Sequence, residues 1–424
     1  MEPMEPKQTA VVVGVDMNGG PQFVHSMEEL RSLAEACDAD VVGEMTQRLN
    51  RINPSRYIGS GKVRELAELL KQSNAQMAIF NDELSPSQIR NLEAETQCKI
   101  IDRTILILDI FAERARTREA QLQVEIARLQ YMLPRLVGLR ESLGRQGGGA
   151  GLKNRGSGET KLELDRRRIE EKINSLHKEL ELLVSQRQIQ RKRRKKNEVP
   201  VVCLVGYTNA GKSTIMNALL DKSGAADNKQ VFVKDMLFAT LETSVRSIEL
   251  PGRKSFLLTD TVGFVSKLPH DLVKAFRSTL EEVAEADLLV HVVDYSHPEY
   301  EHMIAVTNQT LKELGAGGIP VVYAYNKSEL RPGAEYPSVC EDAVYMSARQ
   351  DKGTGELLEV IASHIFRGYV RCEMLIPFQQ GQLITYFNIH AHILSSSYEE
   401  DGARLLLECS QADYEQNRQY VIPT

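Results

Sequence analysis

The chain has 424 residues, 42% of them apolar and 26% charged, and a formal net charge of −6 at neutral pH. That length exceeds one ordinary domain and predicts roughly two to four, each large enough to bury a core. No uninterrupted apolar run approaches the ~18 residues of a membrane span, and the start MEPMEPKQTA has no apolar signal core, so the expected location is cytoplasmic. The six cysteines are scattered, with no C-x-x-C pair and no zinc-ligand spacing, and read as reduced thiols. The modest average charge hides local asymmetry and does not exclude a polyanionic partner.

From Thr9 to about Ile105, strand-like runs (TAVVVGV, DVVGEM, QMAIFN, KIID) alternate with helical patterns (MEELRSLAEAC, KVRELAELLKQ, PSQIRNLEAETQ). Alternation of this kind predicts βα units around a parallel sheet, an N-terminal α/β domain over residues 1–106. Gly59-Ser60-Gly61-Lys62 precedes one of the helices but lacks full phosphate-loop spacing, and reads as a glycine turn that opens it.

From about Asp109 the period changes. Leu122, Ile126, Leu129, Leu133 and Leu136 fall at steps of four and three, and a second seam runs through Leu162, Ile169, Ile173, Leu176, Leu180 and Leu183. Two such helices can bury their seams against each other, which predicts a long antiparallel helical hairpin over residues 107–198. The connection, residues 144–158 (GRQGGGAGLKNRGSG), holds seven glycines, three cations and no acidic residue. A flexible linker is the plain reading. Contact with a phosphate backbone is the sharper one, with Arg145, Lys153, Asn154 and Arg155 as candidate RNA-binding residues. The run RKRRKK at residues 191–196 reads in the same two ways, as solvated linker or as part of a nucleic-acid face. Glu198-Val199-Pro200 marks the next boundary.

In residues 201–214, VVCLVGYTNAGKST, a buried strand runs into Gly206, then Tyr207, Thr208, Asn209 and Ala210, then Gly211, Lys212, Ser213 and Thr214. This is a P-loop: glycines let backbone N–H groups curl around phosphate oxygens, the lysine reaches the outer phosphates, and the serine hydroxyl can ligate Mg2+. Phe238, Ala239, Thr240, Leu241 and Glu242 lie in a polar-flanked segment, followed by the strand-like SVRSIEL and SFLLTD. The second run ends in Asp260, Thr261, Val262 and Gly263, a strand-tip carboxylate suited to magnesium and a glycine able to approach a terminal phosphate. ADLLVHVVD reads as a strand covered on both faces; VVYAYN ends at Asn326, Lys327, Ser328 and Glu329; VYMSAR ends at Ser347, Ala348 and Arg349. The expected domain, residues 199–367, is a nucleotide-binding one with a doubly wound sheet. Residues 368–424 read as a small α+β domain with strand RCEMLIP, helix-like QLITYFNIHAHI and a hairpin turn near Asp401-Gly402. His390 and His392, two apart on that expected helix, point to different faces and read as structural.

P-loop, threonine switch, D-x-x-G, N-K-x-acid and S-A-x occur in that order and after strands, a pattern that resembles the translation-associated G proteins that include Era and Obg. Further stretches extend the likeness over residues 9–367: YIGSGKV (57–63), Asp102-Arg103-Thr104, EIARLQY (125–131), GSGETKLELDRR (156–167) and DTVGF (260–264). On these the chain resembles the HflX family of ribosome-associated GTPases. The resemblance implies GTP as substrate and GDP as product, with a carboxylate after Asn-Lys accepting from guanine N1 and N2. It implies Mg2+ ligated by Ser213 and Thr240, with Asp260 acting through water. It also implies a monomer that associates with the large ribosomal subunit and its RNA and splits or rescues stalled ribosomes. Two departures stand out: Glu329 occupies the place usual for aspartate, and Phe264 the place where Ras-like proteins carry a water-orienting glutamine. No catalytic residue is assigned. Two other functions stay open, a GTP switch whose hairpin binds a protein partner, and an ATP- or GTP-driven RNA-remodelling factor. Salt dependence separates the first from an RNA role, and GTP/ATP competition decides the second.

Overall fold

The computed structural model describes residues 7–17, 19–146, 155–196, 199–223, 237–238, 244–250, 254–267 and 283–422, and within these the side chains of residues 136–146, 155–162, 186–196 and 389–390 are not described. The chain packs as two units. The first comprises Met1–Lys192, Lys234–Glu242 and Gly263–Thr279; the second comprises Arg193–Val233, Thr243–Val262 and Leu280–Thr424.

In the first unit, β1 (Gln8–Asp16), β2 (Ala39–Arg48), β3 (Met77–Phe80) and β4 (Lys99–Asp102) form a sheet in the order β2-β1-β3-β4 with every pair parallel. The inner strands are the continuous apolar runs, with Ala10, Val11, Val12 and Val13 of β1 and all of β3 buried. Parallel neighbours need crossovers, which α1 (Pro21–Ala36), α2 (Ser60–Gln72) and α3 (Pro86–Thr96) supply. Gly59 caps α2 and Lys62 pairs with Glu65 on its surface (2.7 Å), so the 59–62 turn does open a helix. Ser85 and Gln88 form a reciprocal capping box at the start of α3.

Helix α4 (Arg103–Arg114) follows β4 without a loop, capped by the Asp102 side chain, so the boundary expected after residue 106 falls inside a helix. Then come the two long helices, α5 (Arg118–Gln146) and α6 (Arg155–Lys196). Their 29 and 42 residues span about 44 and 63 Å at ~1.5 Å per residue. Leu122, Ile126 and Leu176 are buried between them, with Leu129, Leu180 and Leu183 packed alongside. Arg118 pairs with Glu179 (2.7 Å) and Lys172 with Glu125 (2.5 Å), a register that rises in one helix as it falls in the other. The hairpin is therefore antiparallel. The middle of α5 is pinned to the first unit's sheet: Tyr131 donates to Asp102, and Arg135 lies 3.1 Å from the Tyr131 ring centre while donating to the Leu84 carbonyl (2.9 Å).

The second unit holds a seven-stranded sheet of β5 (Val201–Gly206), β6 (Ser244–Glu249), β7 (Ser255–Asp260), β8 (Leu288–Asp294), β9 (Val321–Asn326), β10 (Ser338–Cys340) and β11 (Ala343–Tyr345), in the order β10-β11-β9-β8-β5-β7-β6. The five central strands are parallel, and β6 and β10 join the edges antiparallel. Helices α7 (Lys212–Ser223), α8 (Tyr300–Glu313) and α9 (Thr354–Ile365) pack on it. The core runs from Val202 and Leu204 through Ile215 and Leu219 to Val290, Val292 and Leu357.

Residues 369–410 add an antiparallel sheet, β12 (Tyr369–Ile376), β13 (His392–Glu399) and β14 (Gly402–Ser410), ordered β12-β14-β13, with α10 (Gly381–His390) and α11 (Gln411–Gln416) against it. The helix expected over residues 382–393 is shorter than its composition suggests. The expected helix ends at His390, and His392 instead begins β13, where it pairs with Glu408 (3.3 Å). Ala391 turns extended while its N–H still closes on Phe387, and pairing with β14 then takes over from helix propensity.

Candidate nucleotide site

The carboxyl ends of β5, β7, β8 and β9 bring Gly206, Asp260, Asp294 and Asn326 to one crest of the sheet, the position at which open α/β sheets bind ligands. From Gly206 the chain turns through Tyr207, Thr208, Asn209 and Ala210 to Gly211 and enters α7 at Lys212. Gly206 and Gly211 have φ of +143° and +97°. Neither tolerates a side chain: a Cβ on Gly206 would overlap the Val292 carbonyl oxygen, and one on Gly211 the Asn326 amide. Asn209 is also left-handed, at φ +59°. Amides turned by such a backbone form an anion nest, and the positive end of α7 adds to it.

Lys212 is buried and donates to the carbonyls of Gly206 (3.1 Å) and Tyr207 (2.9 Å). Burial pushes its pKa down from 10.5 to about 8, with Asp260 pulling in the opposite direction. Ser213 donates to Asp260 (2.6 Å), which is fully buried at the tip of β7. A hydroxyl and a carboxylate meeting beside a phosphate loop are hard oxygen donors of the kind that suit Mg2+. Thr214 is half-buried in the first turn of α7, Thr208 is buried, and Thr261 donates to the Leu204 carbonyl (2.6 Å), tying β7 to β5 beside buried Val262.

Asn326 braces the crest. It donates to the Ala210 carbonyl (3.0 Å) and accepts from the Ala348 N–H (3.0 Å), so one amide links the phosphate loop to the Ser347-Ala348-Arg349 turn. Ser347 caps that turn by accepting from Gln350 N–H (3.2 Å), and Arg349 is exposed. Ser328 is buried, bonded to the Met346 and Tyr325 carbonyls (3.1 and 2.9 Å). Lys327 is left-handed at φ +60° and pairs with Asp294 (2.7 Å). Glu329 holds a buried Oε2 with no hydrogen-bond partner among the described residues. Such an atom is costly unless a ligand supplies donors. Sequence reasoning missed Asp294, whose only signal is that it ends the run LLVHVVD as Asp260 ends SFLLTD.

Two pieces of the motifs pack in the first unit. Phe238 is buried edge-on to Phe111 of α4 (4.7 Å, 84°), and Arg114 donates to the Leu237 carbonyl. Its φ of +54° is uncommon for a bulky residue and marks local constraint. Just after Gly263, Phe264 and Val265 are buried. Ser266 donates to Glu29; Arg103, paired with the same Glu29, donates to the Ser266 carbonyl (3.0 Å); Lys267 pairs with Asp82 (2.5 Å). Ala239, Thr240, Leu241 and Glu242 lie outside the described residues, as do Lys153, Asn154 and the side chains of Arg145 and Arg155.

Residues 24–112 match the family described as GTP-binding GTPase N-terminal, residues 114–194 the GTP-binding GTPase Middle Region, and residues 201–327 the 50S ribosome-binding GTPase family. The chain is 44% identical over 416 residues to GTPase HflX of Caldanaerobacter subterraneus, which covers 98% of this chain and 94% of that one. It is 38% identical over 386 residues to GTPase HflX of Escherichia coli, covering 90% and 88%. Among solved structures it is similar to a GTP-binding protein from Sulfolobus solfataricus in complex with GDP, at 24% identity and a TM-score of 0.44, covering 85% of this chain and 99% of that one.

Proposed function

The chain belongs to the HflX family of GTPases, and on that premise we propose that it is a GTP-driven factor that binds the large ribosomal subunit and splits or rescues stalled ribosomes in the cytoplasm. The reaction places a water oxygen on the terminal phosphorus and breaks the bond to the bridging oxygen, leaving GDP and phosphate. Gly206 to Ser213 and the Lys212 ammonium hold the phosphates, and Glu329 accepts from guanine N1 and N2 while Asn326 and Ala348 keep the base-reading loop against the phosphate loop. Ser213 and Thr240 would hold Mg2+, with Asp260 acting through water; the ion would neutralise charge on the phosphate oxygens. Phe264 has no group that could orient a water molecule, so basal hydrolysis is slow and awaits an outside element on the ribosome.

The observation that carries this reading is where the residues flanking the two phosphate-sensing segments pack. Leu237 and Phe238, two residues short of Thr240, and Phe264 to Lys267, directly after Gly263, are held by α4, Glu29 and Asp82 of the first unit. A change at the terminal phosphate therefore acts on the module that carries the hairpin. The hairpin would present residues 144–158 to ribosomal RNA, with Arg145, Lys153, Asn154 and Arg155 at phosphates and glycines allowing close backbone approach. Among the described residues no helix is long and apolar enough to cross a membrane. The protein acts as a monomer on the ribosome.

Sedimentation with purified large subunits tests the proposal. The protein should pellet with subunits in the presence of a non-hydrolysable GTP analogue, much less with GDP, and binding should fall steeply as salt rises. Pelleting that ignores the nucleotide, or that ignores salt, contradicts it.

A further inference from the structure

The loop leaving β8 grips the base-reading segment at both ends. Tyr295 N–H donates to the Asn326 carbonyl (2.9 Å), and Arg331 donates to the Tyr295 carbonyl (3.0 Å) with its guanidinium 4.0 Å from the Tyr295 ring centre. Between these anchors lies Lys327, whose ammonium donates to Asp294 Oδ2 (2.7 Å). The other Asp294 oxygen is engaged too, accepting from the Ser296 N–H (3.1 Å) and hydroxyl (2.6 Å). The carboxylate is thus fixed on both sides. Lys327 and Asp294 side chains are 24% and 19% exposed, more shielded than an ordinary surface pair. Two residues beyond Lys327, Glu329 keeps its Oε2 buried and without a hydrogen-bond partner among the described residues. Lys327 and Glu329 carry opposite charges two residues apart in the chain. Here the cation is bound to a different acid.

We infer that Asp294 is a positioning residue for base selectivity: by capturing Lys327 it keeps that ammonium off Glu329 and leaves the Glu329 carboxylate open to the N–H donors of guanine. The inference rests on the reading of Glu329 as the guanine acceptor. Without the Asp294 charge, Lys327 turns to the remaining carboxylate of its segment, and guanine then has to displace it. Adenine offers no donor at N1 and no amino group at C2, so its binding does not draw on Glu329. Loss of Asp294 therefore costs GTP and spares ATP.

The test uses the full chain and competition of GTP and ATP against a fluorescent GDP analogue. Asp294→Asn keeps the shape and the Ser296 contacts but removes the charge. It should weaken GTP about tenfold, the scale of one charge-assisted hydrogen bond, and leave ATP unchanged. In turnover the loss should fall on KM for GTP rather than on kcat. Adding Lys327→Ala to Asp294→Asn should bring the GTP-over-ATP ratio to that of Lys327→Ala alone, because no cation is left to occupy Glu329. An unchanged ratio in Asp294→Asn, or equal weakening of both nucleotides, overturns the inference. Glu329→Ala separates the two layers: if it keeps the preference for GTP, the Glu329 reading itself falls, and if it loses the preference while Asp294→Asn retains it, only the role of Asp294 falls.

Discussion

Lys212 donates to two backbone carbonyls, those of Gly206 and Tyr207, and burial holds its pKa at about 8. Phosphate oxygens favour the charged form, so the pKa of the bound state lies above that of the free state and binding takes up a proton in the interval between them. GTP affinity should be complete below about pH 8 and decline as pH rises past it, measured by titrating a fluorescent GTP analogue from neutral pH to about pH 10. A flat profile contradicts the assignment of Lys212 to the phosphates. Lys212→Ala removes the cation altogether and should lower GTP affinity by on the order of 100-fold or more. Unchanged affinity in that variant would remove the P-loop reading at its root.

The contact between α4 and the residues after Gly263 is an element-scale device. Arg103 and Glu29 are 2% and 3% exposed, and Ser266 bonds to both. Removing one member of a buried pair strands the other, so Arg103→Ala should cost about 3 to 5 kcal/mol and lower the melting temperature clearly. Ser266→Ala is the milder probe, since it deletes one hydroxyl and leaves the ion pair. It should preserve the fold and raise basal GTP turnover several-fold by loosening the segment next to Gly263; equal turnover means that the contact is structural only. Elements whose causes are local are legible in the sequence: the apolar runs of β1, β5 and β8, the two seams of the hairpin, and the glycines of the P-loop, where backbone angle dictates residue type. Helix α4 is not, because it starts directly on β4 and its Ile105, Leu106, Ile107 and Leu108 read as a continuation of the strand KIID. The hairpin turning near Asp401-Gly402 is legible, but the start of β13 is hidden by the helical composition before it, and pairing with β14 places it at His392. The same holds in the site. Lys327 and Asp294 are 33 residues apart and Ser266 and Glu29 are 237 apart, and no local pattern marks such partners.

At the scale of the whole molecule, a net charge of −6 coexists with two stretches, residues 144–158 and 191–196, whose only charged residues are cations. The ion pairs Arg118–Glu179 and Lys172–Glu125 and the seam around Leu122, Ile126 and Leu176 close the hairpin far from its tip. Replacing residues 147–158 with a short neutral turn should therefore leave folding and basal GTP binding intact. Subunit binding should weaken only in part, because the cations of residues 191–196 remain to contact phosphates. What the variant should lose is the ability to separate ribosomal subunits, since the glycine-rich cationic tip is the part proposed to enter RNA. Light scattering by whole ribosomes, followed after mixing with the protein, reads this directly. The parent chain should lower the scattering with GTP and not with GDP, and the tip-replaced chain should lower it in neither case. Scattering that the parent leaves unchanged under GTP, or that both chains lower equally, would contradict a GTP-driven factor that works through the tip of its helical hairpin.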